Sequence, residues 1–198
     1  MNQIVASRIT GGNSEYGRVS NDFYPTPPEV TQALLDFFGI NYVEQEAKEK
    51  TVIWEPACGD GHMVDVFRKN GLPCVGTDIK TGMDFLKAPL IPCDWIITNP
   101  PFSQSEQFIR RCIEHQKPFA LLLKSQYWHA KKRLNLFREH MPTYVLPLTW
   151  RPDFLFKTRG HGSPLMDVMW VVWGKEPAER TTFYPLDKPD LRREIKES

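Results

Sequence analysis

The run Asp94-Trp95-Ile96-Ile97-Thr98-Asn99-Pro100-Pro101-Phe102 delivers an apolar strand into a turn whose residues could work on an aromatic amine. Such an amine is a weak nucleophile because its lone pair is delocalised into the ring. A catalyst has to hold the amine hydrogens on acceptors that favour a more pyramidal nitrogen, and the Asn99 side-chain oxygen and the Pro100 carbonyl can be those acceptors. Pro100 and Pro101 stiffen the turn and bring no amide hydrogens that would compete for the carbonyls. Phe102 offers a ring face on which a planar base can stack. An Asn-Pro-Pro turn can also end a strand with no chemistry attached. The aromatic residue in fourth place and the apolar strand before it set this one apart.

A second constellation lies upstream. A short apolar strand ending at Trp54 enters Glu55-Pro56-Ala57-Cys58-Gly59-Asp60-Gly61, a glycine-rich turn of the kind that lets backbone approach a ligand without a Cβ in the way. About 20 residues further on, Asp78 ends the next strand, where a carboxylate can take both hydroxyls of a ribose. A dinucleotide would call for Gly-x-Gly-x-x-Gly and a helix start facing a pyrophosphate. Glu55 and Asp60 would repel a pyrophosphate and suit a cationic ligand. S-adenosylmethionine, with its sulfonium and α-amino group and no phosphate, is the expected nucleoside cofactor. Either acid taken alone could equally be a helix-start carboxylate opposite the helix dipole.

These two turns need a sheet to bring them to one edge, and the chain supplies its parts. Strands are expected near 51–54, 73–77, 95–98, 119–123, 144–148 and 167–173, and helices near 61–70, 105–115 and 127–140. Pro27-Pro28-Glu29 opens a further helix, with an apolar stripe through Phe38 closed by Gly39. The connections are mostly too long for hairpins, so most strands should be parallel, with the last pair as the antiparallel edge. Residues 1–21 read as a flexible arm and 22–174 as the catalytic domain. The charged run from Glu44 to Lys50 reads as a surface linker, and 175–198 as an extended tail.

Composition bounds the rest. With 198 residues, 41% of them hydrophobic, the chain has the size and apolar content of one α/β domain. It has no long uncharged apolar run, so no membrane association is expected, and Met1 to Arg8 lack the layout of a secretory signal. Cys58, Cys74, Cys93 and Cys112 are widely separated with no C-x-x-C pair, which speaks for reduced thiols and against a metal site. The net charge is only +1, but cations are concentrated between Lys124 and Arg159. There Lys124, Lys131, Lys132, Arg133, Arg138, Arg151, Lys157 and Arg159 face only Glu139 and Asp153. A nucleic-acid partner would meet that segment. Within it the Arg151–His161 loop, with Phe154 and Phe156 between cations, is the candidate for holding a base and nearby phosphates, together with Lys124.

With these motifs in order, the sequence resembles the DNA amino-methyltransferases from Asp22 to Gly174, and among them the adenine-specific group in its γ-type motif order, in the short style of bacteriophage and prophage members. The resemblance implies a Rossmann-like S-adenosylmethionine-dependent methyltransferase fold: a seven-stranded, mostly parallel sheet with an antiparallel last strand and helices on both faces. It implies methyl transfer to the exocyclic amine of adenine in DNA, in the cytoplasm of a bacterial host or phage-infected cell. Phe23-Tyr24-Pro25-Thr26-Pro27 looks like the segment that binds the cofactor's methionine part. Glu55, Pro56, Ala57, Gly59, Asp60 and Gly61 look like its loop, and Asp78 its ribose carboxylate. Asp84-Phe85 looks like the pair that contacts its adenine, and Asn99-Pro100-Pro101-Phe102 the catalytic tetrapeptide. Arg151, Phe154, Lys157, Arg159 and His161 are the expected substrate contacts. Such enzymes usually carry a target-recognition domain, whereas here only Arg151 to Met166 separates the last two strands. Sequence selectivity is therefore expected to be relaxed, or to rest on that loop and the N-terminal arm. The same clamp also serves RNA adenines and glutamine amides, and a non-catalytic binding module on the same fold is the alternative of another class.

Overall fold

Strand residues of this chain alternate between two apolar environments, and that alternation builds a sheet covered on both faces. In the computed structural model, which describes residues 24–39, 45–154 and 166–191, β1 (Ile53–Glu55) pairs in parallel with β2 (Cys74–Gly76) on one side and β3 (Trp95–Thr98) on the other. β4 (Phe119–Lys124) continues the parallel set beside β3, with Ile97 opposite Ala120. One face packs Ile53, Ile97, Ala120 and Leu122 against α1 (Pro28–Phe37) and α3 (His62–Lys69). The other face packs Trp54, Ile96, Leu121 and Leu123 against α4 (Ser105–His115) and Leu136 of α5 (Leu134–Glu139). Period-two burial of this kind is what a strand buried on both faces requires.

β6 (Val168–Trp173) runs antiparallel, as expected of the last pair, with one further strand outside that pair. It lies between β4 and β5 (Tyr144–Pro147), paired antiparallel to both, so the strand order is β2-β1-β3-β4-β6-β5-β7. Its six residues, Val-Met-Trp-Val-Val-Trp, are all buried, which suits an interior position and no other. Trp170 spans the layers: its indole N–H donates to the Val30 carbonyl of α1 at 2.9 Å. The edge beyond β5 is β7 (Thr182–Phe183), parallel to it, followed by a bridge from Leu148 to Leu186, whose side chain is buried. Residues after Gly174 therefore supply the seventh strand.

Two local expectations change. The stretch 127–140 is not one helix. It consists of a 3₁₀ turn at Ser125–Trp128, a second at Lys131–Arg133 and then α5. Trp128 is anchored through its indole N–H to the Met169 sulfur at 3.2 Å and packs on Phe137, while Arg133 donates to the Tyr127 carbonyl at 2.7 Å. Ala130 between them is extended, with φ −147° and ψ 113°, so these anchors coincide with a break that no helix could bridge. The charged run before β1 is also not plain linker, since Gln45–Lys50 forms the short helix α2. Among the described residues no helix is long and apolar enough to cross a membrane.

β2 is held close to the glycine-rich turn by Gly76. A Cβ built on this residue would lie 2.8 Å from Val64 Cγ2 and 3.2 Å from Cys58 Cβ. Gly76→Ala is therefore expected to cost about 1–3 kcal/mol, the usual penalty for overpacking a filled interior. Urea denaturation measures it; an unchanged midpoint would mean that Val64 and Cys58 yield without cost.

Candidate functional site

The carboxyl ends of β1, β2, β3 and β4 open on one cleft of about 980 Å³. Open α/β sheets place ligands beyond the strand ends because the loops there are free to diverge. β1 ends in Glu55, and the chain then turns through Gly59 (φ +50°) and Gly61 (φ +87°), backbone conformations that a side chain would disfavour. This turn is bonded to the end of β2: the Thr77 N–H donates to the Glu55 carbonyl at 2.9 Å, and the Cys58 N–H to the Thr77 carbonyl at 3.0 Å. Asp78 follows. Its carboxylate accepts from the Gly59 N–H at 2.9 Å through one oxygen and from the Lys80 N–H at 2.8 Å through the other. Each oxygen keeps a second acceptor site, so the carboxylate is aimed by backbone and still able to receive hydroxyls.

Glu55 links this half of the cleft to the other. Its side chain is 1% exposed; one carboxyl oxygen accepts from the Thr98 hydroxyl and from the Ala57 N–H at 3.2 Å. Burial raises its pKa from 4.5 to about 8, against the lowering influence of those two bonds and with a small further rise from Asp78. Near neutral pH Glu55 thus mostly keeps its proton and does not supply the negative charge that its residue type suggests. The thiols of Cys58 and Cys74 are raised by burial to about 11 and about 12, and all four cysteines are unpaired thiols.

Asn99 follows Thr98 directly. Its amide nitrogen donates to the Tyr24 carbonyl and to the Thr26 hydroxyl, each at 3.0 Å. A carbonyl can only accept, so the amide orientation is fixed with its nitrogen toward Tyr24. Its oxygen Oδ1 is buried and has no hydrogen-bond partner, although the residue lines the cleft. A buried acceptor left unpaired costs about 1–3 kcal/mol, which a ligand donor would restore. Phe102 stands beside it, with the Tyr24 ring at 5.7 Å and the Lys124 ammonium 4.7 Å from its centroid.

Of the residues singled out in the sequence, Tyr24, Thr26, Glu55, Ala57, Asp60, Asp78, Asn99, Pro101, Phe102 and Lys124 line this cleft. Pro27 and Pro56 are buried supports, Pro100 is buried within the turn, and Gly59 and Gly61 act through backbone. Four others are placed elsewhere. Phe85 is 2% exposed in the second core, edge-on to Trp54 and against Phe108, so its ring is a packing residue. Asp84 pairs with Lys87 at 3.0 Å, and that bond holds its carboxyl below the usual range. Arg151 is paired with Asp167 at 2.7 Å, and the buried Phe154 ring packs behind Tyr24 at 6.2 Å. Lys157, Arg159 and His161 lie outside the described residues.

The sequence reading did not single out Ile79, Gln126 or Tyr127, and it named Arg133 only among the cations of its segment; all four line the cleft. Ile79, right after Asp78, is 68% exposed, an aliphatic side chain left outside the core. Tyr127 and Arg133 fall where the pattern predicts one helix and the chain makes two 3₁₀ turns.

No family model matches this sequence, and no curated protein matches it either. Solved structures do. A type I restriction-modification system methyltransferase subunit from Streptococcus thermophilus superposes over 87% of this chain with a TM-score of 0.59 at 14% identity; the chain spans 52% of that subunit's length. A protein provisionally assigned as an RNA methyltransferase from Pyrococcus horikoshii matches with a TM-score of 0.60 at 13% identity, over 88% of this chain and 99% of the other. One provisionally assigned as a class I S-adenosylmethionine-dependent methyltransferase from Listeria monocytogenes gives 0.58 at 13%, over 87% and 68%. At such identities the likeness is one of fold: the chain has the fold of the class I S-adenosylmethionine-dependent methyltransferases.

Proposed function

We propose that this protein transfers the methyl group of S-adenosylmethionine to the exocyclic amine of adenine in DNA. The observation that carries the reading is Asn99: its NH2 is saturated by Tyr24 and Thr26, and its buried oxygen awaits a donor at the cleft wall. An exocyclic amine is a donor of the right kind. Held by Asn99 Oδ1 and the Pro100 carbonyl, its nitrogen is drawn toward the pyramidal geometry in which the lone pair can attack.

The same cleft suits the cofactor. Asp78 is the residue assigned to the ribose hydroxyls, Ile79 offers an exposed aliphatic surface to a purine, and Asp60 provides negative charge for a cationic ligand. Tyr24 and Thr26, already bonded to Asn99, are assigned to the methionine end. When bound, S-adenosylmethionine supplies a methyl group on a sulfonium, with the sulfur taking the electron pair of the breaking bond. The chain's part is to present the amine nitrogen, which forms the new bond and then gives a proton to water. No general base with an altered pKa is required. The target base must leave its stack to reach the cleft, at a cost of a few kcal/mol in a duplex.

The Streptococcus neighbour belongs to a type I restriction-modification system and the Pyrococcus neighbour bears an RNA methyltransferase name, so the substrates to be compared are clear. Radiolabelled S-adenosylmethionine is incubated with the protein and separate DNA, RNA and glutamine-bearing protein substrates, and the DNA is digested for nucleoside mass spectrometry. N6-methyladenine in DNA is the expected result. Label confined to RNA or to protein would defeat the assignment, and a calorimetric titration showing no binding of S-adenosylmethionine would defeat the whole reading, including its enzymatic character.

A further inference from the structure

The reading above uses one side of the cleft. The residues after Phe102, the end of β4 and the 3₁₀ turn Ser125–Trp128 line the rest of it, and they have a different chemistry. Tyr127 is 7% exposed, lines the cleft, and has a buried hydroxyl with no hydrogen-bond partner. Its ring is clamped. Arg133 stacks with its guanidinium carbon 3.9 Å from the ring centroid and donates to the Tyr127 carbonyl, and Phe137 packs edge-on from the other element. A ring fixed in this way cannot turn its hydroxyl toward a partner elsewhere.

The surroundings are rich in donors. Arg133 and Lys124 both line the cleft, and α4 begins there at Ser105, after an N-cap Gln104 that makes no side-chain cap bond. The acid Glu106 lies 3.9 Å from Arg133 Nε and is bonded to Arg110 at 3.1 Å. Arg133 Nε has no hydrogen-bond partner. Burial pushes the Tyr127 hydroxyl up to about 12, against the influence of Arg133, so it stays a donor at any working pH. A nucleobase edge alternates donors and acceptors, and a glutamine amide brings no charge. A group with several acceptor oxygens and a negative charge matches this wall.

We propose that this wall is a phosphodiester subsite, in which the Tyr127 hydroxyl donates to a phosphate oxygen of the strand carrying the target base while Lys124 and Arg133 neutralise its charge. The inference rests on the methyltransferase reading and narrows its substrate to a base within a nucleic-acid strand. Free nucleoside and protein amide lack the group that the wall is built to hold. The methionine carboxylate of the cofactor is another anion that could reach it, so the test must separate the two.

Wild-type protein and Tyr127→Phe, which removes only the hydroxyl and leaves the ring under Arg133, are assayed with short oligonucleotides containing one adenine. A parallel set carries a single uncharged methylphosphonate at each phosphate flanking that adenine in turn. One flanking methylphosphonate is expected to raise the wild-type KM about tenfold or more, the scale of a hydrogen bond to a charged group. Tyr127→Phe should raise KM similarly on the natural oligonucleotide and add little on that methylphosphonate, with the Kd for S-adenosylmethionine unchanged. Wild-type methylation that ignores every methylphosphonate overturns the subsite while leaving the methyltransferase reading intact, and this arm needs no variant to fold. A weakened cofactor Kd in Tyr127→Phe overturns it in favour of the methionine carboxylate. Absence of transfer to any oligonucleotide overturns both.

Discussion

Asn99→Ala is expected to slow methyl transfer by about 10²–10³-fold, the loss seen when one aimed hydrogen-bonding group is removed from the position where charge develops. The change deletes two things at once: the unpaired acceptor Oδ1, and the donors to Tyr24 and Thr26 that fix its direction. Thr26→Val separates them. It removes one of the two anchors and leaves the acceptor in place, so about tenfold is expected. Asn99→Asp should fail as fully as Ala, because a carboxylate oxygen would then face the Tyr24 carbonyl, acceptor against acceptor, and the side chain would swing away. Single-turnover kinetics with labelled S-adenosylmethionine read these effects apart from product release. Full activity in Asn99→Ala would remove the basis of the functional proposal.

The second large effect concerns Glu55, which is buried, shares a hydrogen bond with Thr98 and titrates at about 8 when folded but near 4.5 when unfolded. The folded chain binds the proton more tightly, so the stability that the protonated form contributes is complete below about 4.5. It is lost progressively as pH rises toward about 8. Over that window the linkage amounts to several kcal/mol. Thermal melts across the range should show a falling Tm in the wild type and a much flatter profile in Glu55→Gln, whose amide oxygen can accept from Thr98 and Ala57 as the acid does. A wild-type profile already flat would place the Glu55 pKa near its ordinary value. A bound cation beside Glu55 would draw the proton off, so affinity for S-adenosylmethionine should rise with pH up to about 8 and level beyond it. Calorimetry in buffers of different ionisation enthalpy would detect the released proton.

Local pattern carried much of this architecture. β3 lies at Trp95–Thr98 and α4 at Ser105–His115, as their periodicities indicate, because each is buried on the face its own residues define. The neighbours of a strand are another matter. The run from Val168 to Trp173 is apolar on both sides and so announces an interior strand, but nothing local says that it enters between β4 and β5. β7, two exposed residues among prolines and charges, has no apolar pattern at all. In the site, the types of Asn99, Asp78 and Glu55 were legible, since acceptors and turns have recognisable chemistry. What orients them was not: the Tyr24 carbonyl is a backbone group from a segment 75 residues away, and main-chain atoms leave no trace in residue type. Phe85 shows the converse limit. An aromatic beside a carboxylate fits a purine contact and a core position equally well, and only the space left by Trp54 and Phe108 decides.

The placement of β6 bears on the order in which the chain can assemble. Among the described residues β5 has sheet neighbours only in β6 and β7, both made later, while β4 offers an open flank until β6 arrives. As the nascent chain leaves the ribosome, β1 to β4 can close on α3 and α4, but β5 must wait as an unmatched ribbon. This side of the sheet is completed last, and its late closure exposes the apolar edge of β4 to other chains during synthesis.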